Sequence, residues 1–189
     1  KWSKATVFLV IASVALFVLS YGNRSSESET SATMKWLLAS RDSLTNFQLW
    51  RLASAPFMYS GILQLAACLL AIYFFGAYVF RRLGLAWFAA SYILCGAAGG
   101  LASTLIEPQR SFEAAPAAVL GLIALCGLYF PYMLFLNRIS ARPFGAILTG
   151  LIALSTLNWE AGDIGYAGQF AALPVAYILF RLEPAVQKM

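Results

Sequence analysis

Few residues of this chain could do chemistry, and histidine is absent from its 189 residues. Without an imidazole, the chain has no Ser–His or Cys–His catalytic pair and no histidine zinc site. The remaining nucleophiles of interest lie in or beside apolar segments: Ser54, Ser60, Ser103 and Cys68. Each would need a general base within hydrogen-bonding distance, and the candidates are the acids Glu107, Glu113, Glu160 and Asp163. We interpret these acids as solvated loop charges, which argues against catalysis by any of these groups.

The three cysteines also give no sign of a metal site. Cys68, Cys95 and Cys126 lie inside apolar runs and none belongs to a C-x-x-C motif. Such cysteines usually behave as small buried hydrophobic residues. We therefore expect no metal and no cofactor.

The composition points to lipid as the main solvent. Hydrophobic residues make up 61% of the chain and charged residues only 11%, whereas a soluble domain carries about 25% charged residues. Uncharged runs predict six transmembrane helices in a single domain spanning residues 1–189, at about 5–21, 57–80, 83–106, 114–136, 143–157 and 165–180. The predicted fold class is an all-α membrane bundle.

The first predicted span could be confused with a signal peptide, because Lys1 and Lys4 precede it. No small-residue cleavage site follows, so we expect a retained helix. A long external loop then covers residues 22–51. Its second half interleaves tryptophans with charges, which predicts a partly helical segment at the membrane interface.

Charge asymmetry predicts the orientation. With six spans, the side of the termini holds eight basic residues and one acid, Glu183. The opposite side holds five basic residues and seven acids. The positive-inside rule then predicts that both termini are cytoplasmic, in a bacterial inner membrane or an organelle membrane. Because the basic residues are scattered singly or in pairs, we expect no nucleic-acid partner.

The stretch LWRLASAPFMYSGILQLAACLLAIYFFGAYVFRRLG, residues 49–84, resembles the rhomboid intramembrane proteases. The positions in register with that family are Trp50, Arg51, Phe57, Gly76, Arg81, Arg82, Leu83 and Gly84, and Gly121 follows in the fourth span. The six spans and the long first external loop match the same family. In it, the Trp-Arg pair anchors the first loop, so the resemblance implies a structural role for Trp50 and Arg51.

The same resemblance implies that the catalytic dyad is missing. The family's Gly-x-Ser-Gly-Ala-x-x-Gly motif falls on AAPAAVLG, residues 114–121, with Pro116 in place of the serine nucleophile. The family's Ala-His motif falls on GQFAALPVA, residues 168–176, with Gln169 in place of the histidine base. A shift of four residues would instead put Gly165 there, and neither register supplies a base. The oxyanion-stabilising positions hold Gln64 and Cys68, and Tyr59 replaces a further histidine.

Small residues at four-residue spacing predict close helix packing. They are Gly96 and Gly100 in the third span and Gly168, Ala172 and Ala176 in the sixth. We expect packing inside the bundle, with a dimer interface as the alternative. Pro131 and Pro174 are expected to kink their helices or to be accommodated by neighbours.

Two classes of function remain open. A rhomboid scaffold without its dyad would bind or organise other transmembrane proteins, in the manner of derlins and inactive rhomboids. Alternatively, the chain would be a structural accessory subunit of a larger membrane complex. An intramembrane serine protease with a non-standard site is a remote alternative, and no span carries the mid-depth charge that a transporter needs.

Overall fold

The computed structural model describes residues 50–59, 61–107, 113–130 and 165–186, together with isolated positions elsewhere. A short helix α1 (Trp50–Ser54) leads into a 3-10 turn (Ala55–Phe57). Helix α2 (Ile62–Ala71) continues through a π-helical turn (Ile72–Gly76) into α3 (Ala77–Ile106). Helix α4 (Ala115–Tyr129) precedes two paired two-residue strands, β1 (Leu134–Phe135) and β2 (Ile139–Ser140). A 3-10 segment (Gly165–Ala171) then leads into α5 (Ala172–Val186).

The second and third predicted spans form one hairpin that turns at Gly84. This glycine has φ 75° and ψ 178°, so it divides α3 into two arms. The chain folds back after it, since the rings of Phe80 and Phe88 meet edge to face at 5.8 Å and Phe88 lies against Gly76. The predicted break between the second and third spans, at residues 81–82, is therefore displaced. Arg81 and Arg82 remain helical, and the chain turns at Gly84 because glycine tolerates a positive φ.

Three further predicted helix boundaries differ from the structure. The sixth span ends at Val186 rather than at residue 180, because the uncharged run stops at Arg181 while the helix continues. The second span begins at Ile62 rather than at residue 57, because Pro56 lies within the 3-10 turn and Gly61 is extended. The fourth ends at Tyr129 rather than at residue 136. Phe130 has left the helical region, as the residue before a proline tends to do.

The stretch Ile62–Ile106 is long and apolar enough to cross a membrane by length and composition, and Ala115–Tyr129 is a shorter apolar helix. Each arm on either side of Gly84 holds about 22 residues, close to the 20 or so that a bilayer needs. The predicted spans at 5–21 and 143–157 and the loop at 22–51 fall mostly outside the described residues, so the count of six spans stays a prediction.

The C-terminal arm of α3, residues 85–106, is the centre of the described bundle. A side chain at Gly96 would overlap Pro56 and come within 3.2 Å of the Ala118 methyl group, and one at Gly121 would overlap Cys95. Gly100, Gly168, Ala172 and Ala176 are also buried within the chain. In this structure, these small residues let helices of one molecule approach each other.

The far end of the bundle is held by charge and aromatic contacts. The Arg82 guanidinium lies 3.1 Å from the carboxylate of Glu183, which is almost fully buried at the end of α5. The same guanidinium lies 5.5 Å from the centre of the Tyr129 ring, and that ring packs against Phe180 at 4.9 Å. Arg82 therefore joins the ends of α4 and α5 to the hairpin.

We expect Gly84→Ala to lower the free energy of unfolding by about 1–3 kcal/mol, because the Gly84 backbone lies in a region that other residues avoid. Gly76→Ala is the matched control on the same hairpin. Its backbone is helical and an added methyl group would make ordinary contact with Ile72 at 3.4 Å, so no loss is expected. Thermal unfolding in detergent can be followed by a thiol-reactive dye, since all three cysteines are buried. Equal melting temperatures for the two variants would contradict the strain at Gly84.

Candidate functional site

The segment before α2 is anchored to the entrance of α4. The Ala114 amide donates to the Ala55 carbonyl oxygen at 3.1 Å. The Tyr92 hydroxyl, fully buried on α3, donates to the Pro56 carbonyl oxygen at 2.9 Å. Residues 55–59 are therefore fixed against α3 and α4, where Met58 and Tyr59 are fully buried.

The Trp-Arg pair lies in α1, ahead of this anchored segment. Trp50 is exposed and Arg51 is half-buried. The Arg51 amide donates to the Gln48 carbonyl oxygen at 3.0 Å, and the Ser54 hydroxyl donates to the Arg51 carbonyl oxygen at 3.3 Å. These bonds hold the local turn.

The first turn of α4 is packed tightly and carries no polar side chain. Ala115, Pro116, Ala117 and Ala118 are all buried. Pro116 suits this place because the first turn of a helix has no intrahelical partners for its N–H groups, so the missing donor costs little. The turn can position neither a hydroxyl nor a thiol toward a substrate.

The element that carries Gln169 meets the same helix entrance. Gly99 on α3 faces both, since a side chain there would overlap the Ala117 methyl group and come within 3.3 Å of the Gln169 Cα. The buried Gln169 side chain donates from Nε2 to the Glu113 carbonyl oxygen at 3.5 Å, a long hydrogen bond. The structure thus brings the segments of Pro116 and Gln169 together around Gly99. The alternative residue, Gly165, begins the 3-10 segment four residues earlier.

Gln64 and Cys68 lie on α2 with their side chains buried. The Tyr92 hydroxyl interacts with Tyr59 and lies near Cys68. Tyr92 was not singled out from the sequence, where it is one aromatic residue within a long apolar run. Glu113, predicted from the sequence to be a solvated loop charge, is instead buried next to α4.

The other candidates for chemistry are not assembled into a site in the described part of the chain. The Ser54 hydroxyl donates to the Arg51 carbonyl oxygen, and Ser103 is fully buried beside Gly168. Glu107 caps the end of α3. Ser60, Glu160 and Asp163 fall outside the described residues. No three His, Cys, Asp or Glu side chains cluster as metal ligands within the residues that the structure describes.

The chain belongs to the rhomboid family of multi-pass membrane proteins, whose domain model matches residues 46–181. It is 29% identical over 124 residues to Rhomboid-like protease 3 of Toxoplasma gondii, and the aligned region covers 65% of this chain and 47% of the relative. It is 28% identical over 128 residues to Inactive RHOMBOID-like protein 8 of Arabidopsis thaliana, and the aligned region covers 67% of this chain and 35% of the relative. It is 30% identical over 122 residues to Inactive rhomboid protein 1 of Drosophila melanogaster, and the aligned region covers 62% of this chain and 8% of the relative. The chain thus spans less than half the length of each of these relatives.

Proposed function

We propose that this chain is a non-proteolytic member of the rhomboid family that binds transmembrane segments of other proteins. The observation that carries the proposal is the entrance of α4. Its buried first turn offers a pyrrolidine ring and methyl groups where the family resemblance expects a nucleophile. The neighbouring segment offers the amide of Gln169, which cannot act as a general base near neutral pH.

The relatives by themselves leave the activity open, since one is named as a protease and two are named as inactive proteins. The residues favour the inactive group. In this protein, both the nucleophile and its base would have to come from residues other than Pro116 and Gln169. Ser54 and Ser103 are poor substitutes, because one is bonded to its own helix and the other is fully buried.

Client binding is supported by apolar side chains that remain exposed next to this region. Leu63 neighbours Gln64 on α2, and Phe170 neighbours Gln169 on the 3-10 segment, and both are exposed. In a bilayer these side chains face lipid or the transmembrane helix of another protein. The alternative, a structural accessory subunit, uses the same surfaces for one permanent partner.

The first test is chemical. The purified protein should not be labelled by a fluorophosphonate probe and should not cleave generic rhomboid substrates. An active rhomboid protease run in parallel provides the positive control. Labelling of a serine that disappears on heat denaturation would overturn the non-proteolytic reading.

The second test identifies what is bound. A photo-crosslinking amino acid at Leu63 or Phe170 in the native membrane should capture several different transmembrane proteins. Leu105 on α3, also exposed and apolar, is the matched control and should capture few of them. One constant partner at both positions would favour the accessory-subunit hypothesis. Capture of no protein would contradict both that hypothesis and the client-binding hypothesis.

A further inference from the structure

Helix α5 has one exposed face and one buried face. Ala172, Ala176 and Leu179 are buried on the inner face. The outer face is apolar and exposed, and it consists of Leu173, Pro174, Tyr177, Ile178 and Leu182. With 3.6 residues per turn, Arg181 lies on the same outer face, near its C-terminal end. A guanidinium therefore ends a strip of side chains that suit lipid.

The guanidinium is held in a fixed orientation. Its Nε and Nη2 donate to the Tyr177 hydroxyl oxygen at 3.0 and 2.8 Å. Its central carbon lies 5.4 Å from the centre of the same ring, within the range of a cation–π contact. Two of the five N–H donors are used in this way, so three remain for another acceptor.

The two charged residues near the end of α5 differ in what neutralises them. Glu183 faces inward and pairs with Arg82. Arg181 faces outward, and no carboxylate lies within ion-pairing distance of it among the residues that the structure describes. An arginine on a lipid-facing surface needs an anionic partner at the membrane interface, and phosphate oxygens match its planar donors.

The segment is long enough to bring Arg181 to that interface when Gly165 lies at the opposite one. From Gly165 to Ala171 the chain is a 3-10 helix, which rises about 2.0 Å per residue, and α5 rises about 1.5 Å per residue. Arg181 therefore lies about 28 Å from Gly165 along the axis, close to the hydrocarbon thickness of about 30 Å. Leu173 and Ile178 lie below it, at the depth of acyl chains.

We propose that Arg181, positioned by Tyr177, binds the phosphate of an anionic phospholipid whose acyl chains lie along the outer face of α5. The remaining N–H groups contact phosphate oxygens, and the apolar side chains of α5 contact the lipid tail. The tyrosine acts as a positioning residue, since it fixes the guanidinium without contacting the lipid charge. This site is separate from the α4 entrance and does not depend on the proposed function.

Native mass spectrometry of the purified full chain, titrated with phosphatidylglycerol or phosphatidylcholine, tests the proposal. We expect the wild-type protein to retain phosphatidylglycerol several-fold better than phosphatidylcholine. Arg181→Gln should abolish the preference, and Tyr177→Phe should reduce it by loosening the guanidinium. Both substitutions are at exposed positions, so the fold should survive.

The matched controls are Arg81→Gln, which removes an exposed charge of the hairpin, and Tyr73→Phe, which changes a tyrosine as exposed as Tyr177. Both should keep the preference. An equal loss in Arg81→Gln would show a diffuse charge effect and overturn the proposal. Displacement of the lipid by millimolar inorganic phosphate would also overturn it, because the site would then recognise the free anion rather than a lipid.

Discussion

Gly168→Ala is expected to prevent stable folding, with a loss of at least about 3 kcal/mol in the free energy of unfolding. A methyl group at Gly168 would overlap the Ser103 amide nitrogen and lie 2.6 Å from the Ala102 carbonyl carbon. These are backbone atoms of α3, so no side-chain rotation relieves the overlap, and the 3-10 segment must move off the helix. The expected readout is a low yield of monodisperse protein and a sharply lower melting temperature in detergent.

Gly127→Ala is the control for this prediction. Gly127 lies within α4, and an added methyl group would meet no atom within 4 Å. Its effect should range from neutral to a stabilisation of up to about 1 kcal/mol, because alanine favours the helix over glycine. A Gly168→Ala protein as stable as the Gly127→Ala protein would mean that the 3-10 segment does not rest on α3 as described.

Pro116→Ser combined with Gln169→His is expected to give no measurable proteolysis. The pair would restore the two side chains of the family dyad, but Ala117 still fills the space opposite Gly99. The positions that help to stabilise an oxyanion would still hold Gln64 and Cys68, both buried. Losing a single oxyanion donor lowers the rate by about 10²–10³, so the combined deficits should keep turnover below detection.

The assay compares the double variant with wild type and with an active rhomboid protease, using a fluorogenic transmembrane substrate in the same detergent. Circular dichroism and the thiol-dye melting curve establish that the variant is folded. Turnover that depends on both substitutions would show that the site has kept its catalytic geometry. The non-proteolytic function would then rest on these two substitutions alone.

The sequence was sufficient to assign the family and to select the glycines that pack, because both depend on local motifs. Gly96, Gly121 and Gly168 stand where a side chain would collide with a neighbouring element. The four-residue spacing of Gly96 with Gly100 and of Gly168 with Ala172 indicated small-residue packing without a structure. Gly121 was indicated by the family motif instead.

The helix ends were harder to predict from hydropathy. An uncharged run does not mark where backbone geometry changes, so the turn at Gly84 and the end at Tyr129 were displaced from the predicted boundaries. Hydropathy also missed the 3-10 geometry of Gly165–Ala171. At a helical rise of 1.5 Å per residue, the sixth span would measure about 24 Å, and the 3-10 turns extend it to about 27 Å.

Buried polar residues were the least predictable part. Tyr92 and Glu183 have partners that are distant in sequence: the Pro56 carbonyl and Arg82. Neither pairing can be recognised from neighbouring residues in the sequence. A tyrosine within a helix and an acid near a helix end are both also common on protein surfaces. Their roles become visible only when the helices are placed together.

The single-residue turn at Gly84 has a consequence for how the chain enters a membrane. The two arms are joined by one residue and fold back on each other through Phe80 and Phe88, so we expect them to insert as a pair. Arg81 and Arg82 at its tip would each cost about 2.5–3.5 kcal/mol in the centre of the bilayer. We therefore expect the tip to stay on one side of the membrane during synthesis and to orient the later helices that pack onto the hairpin.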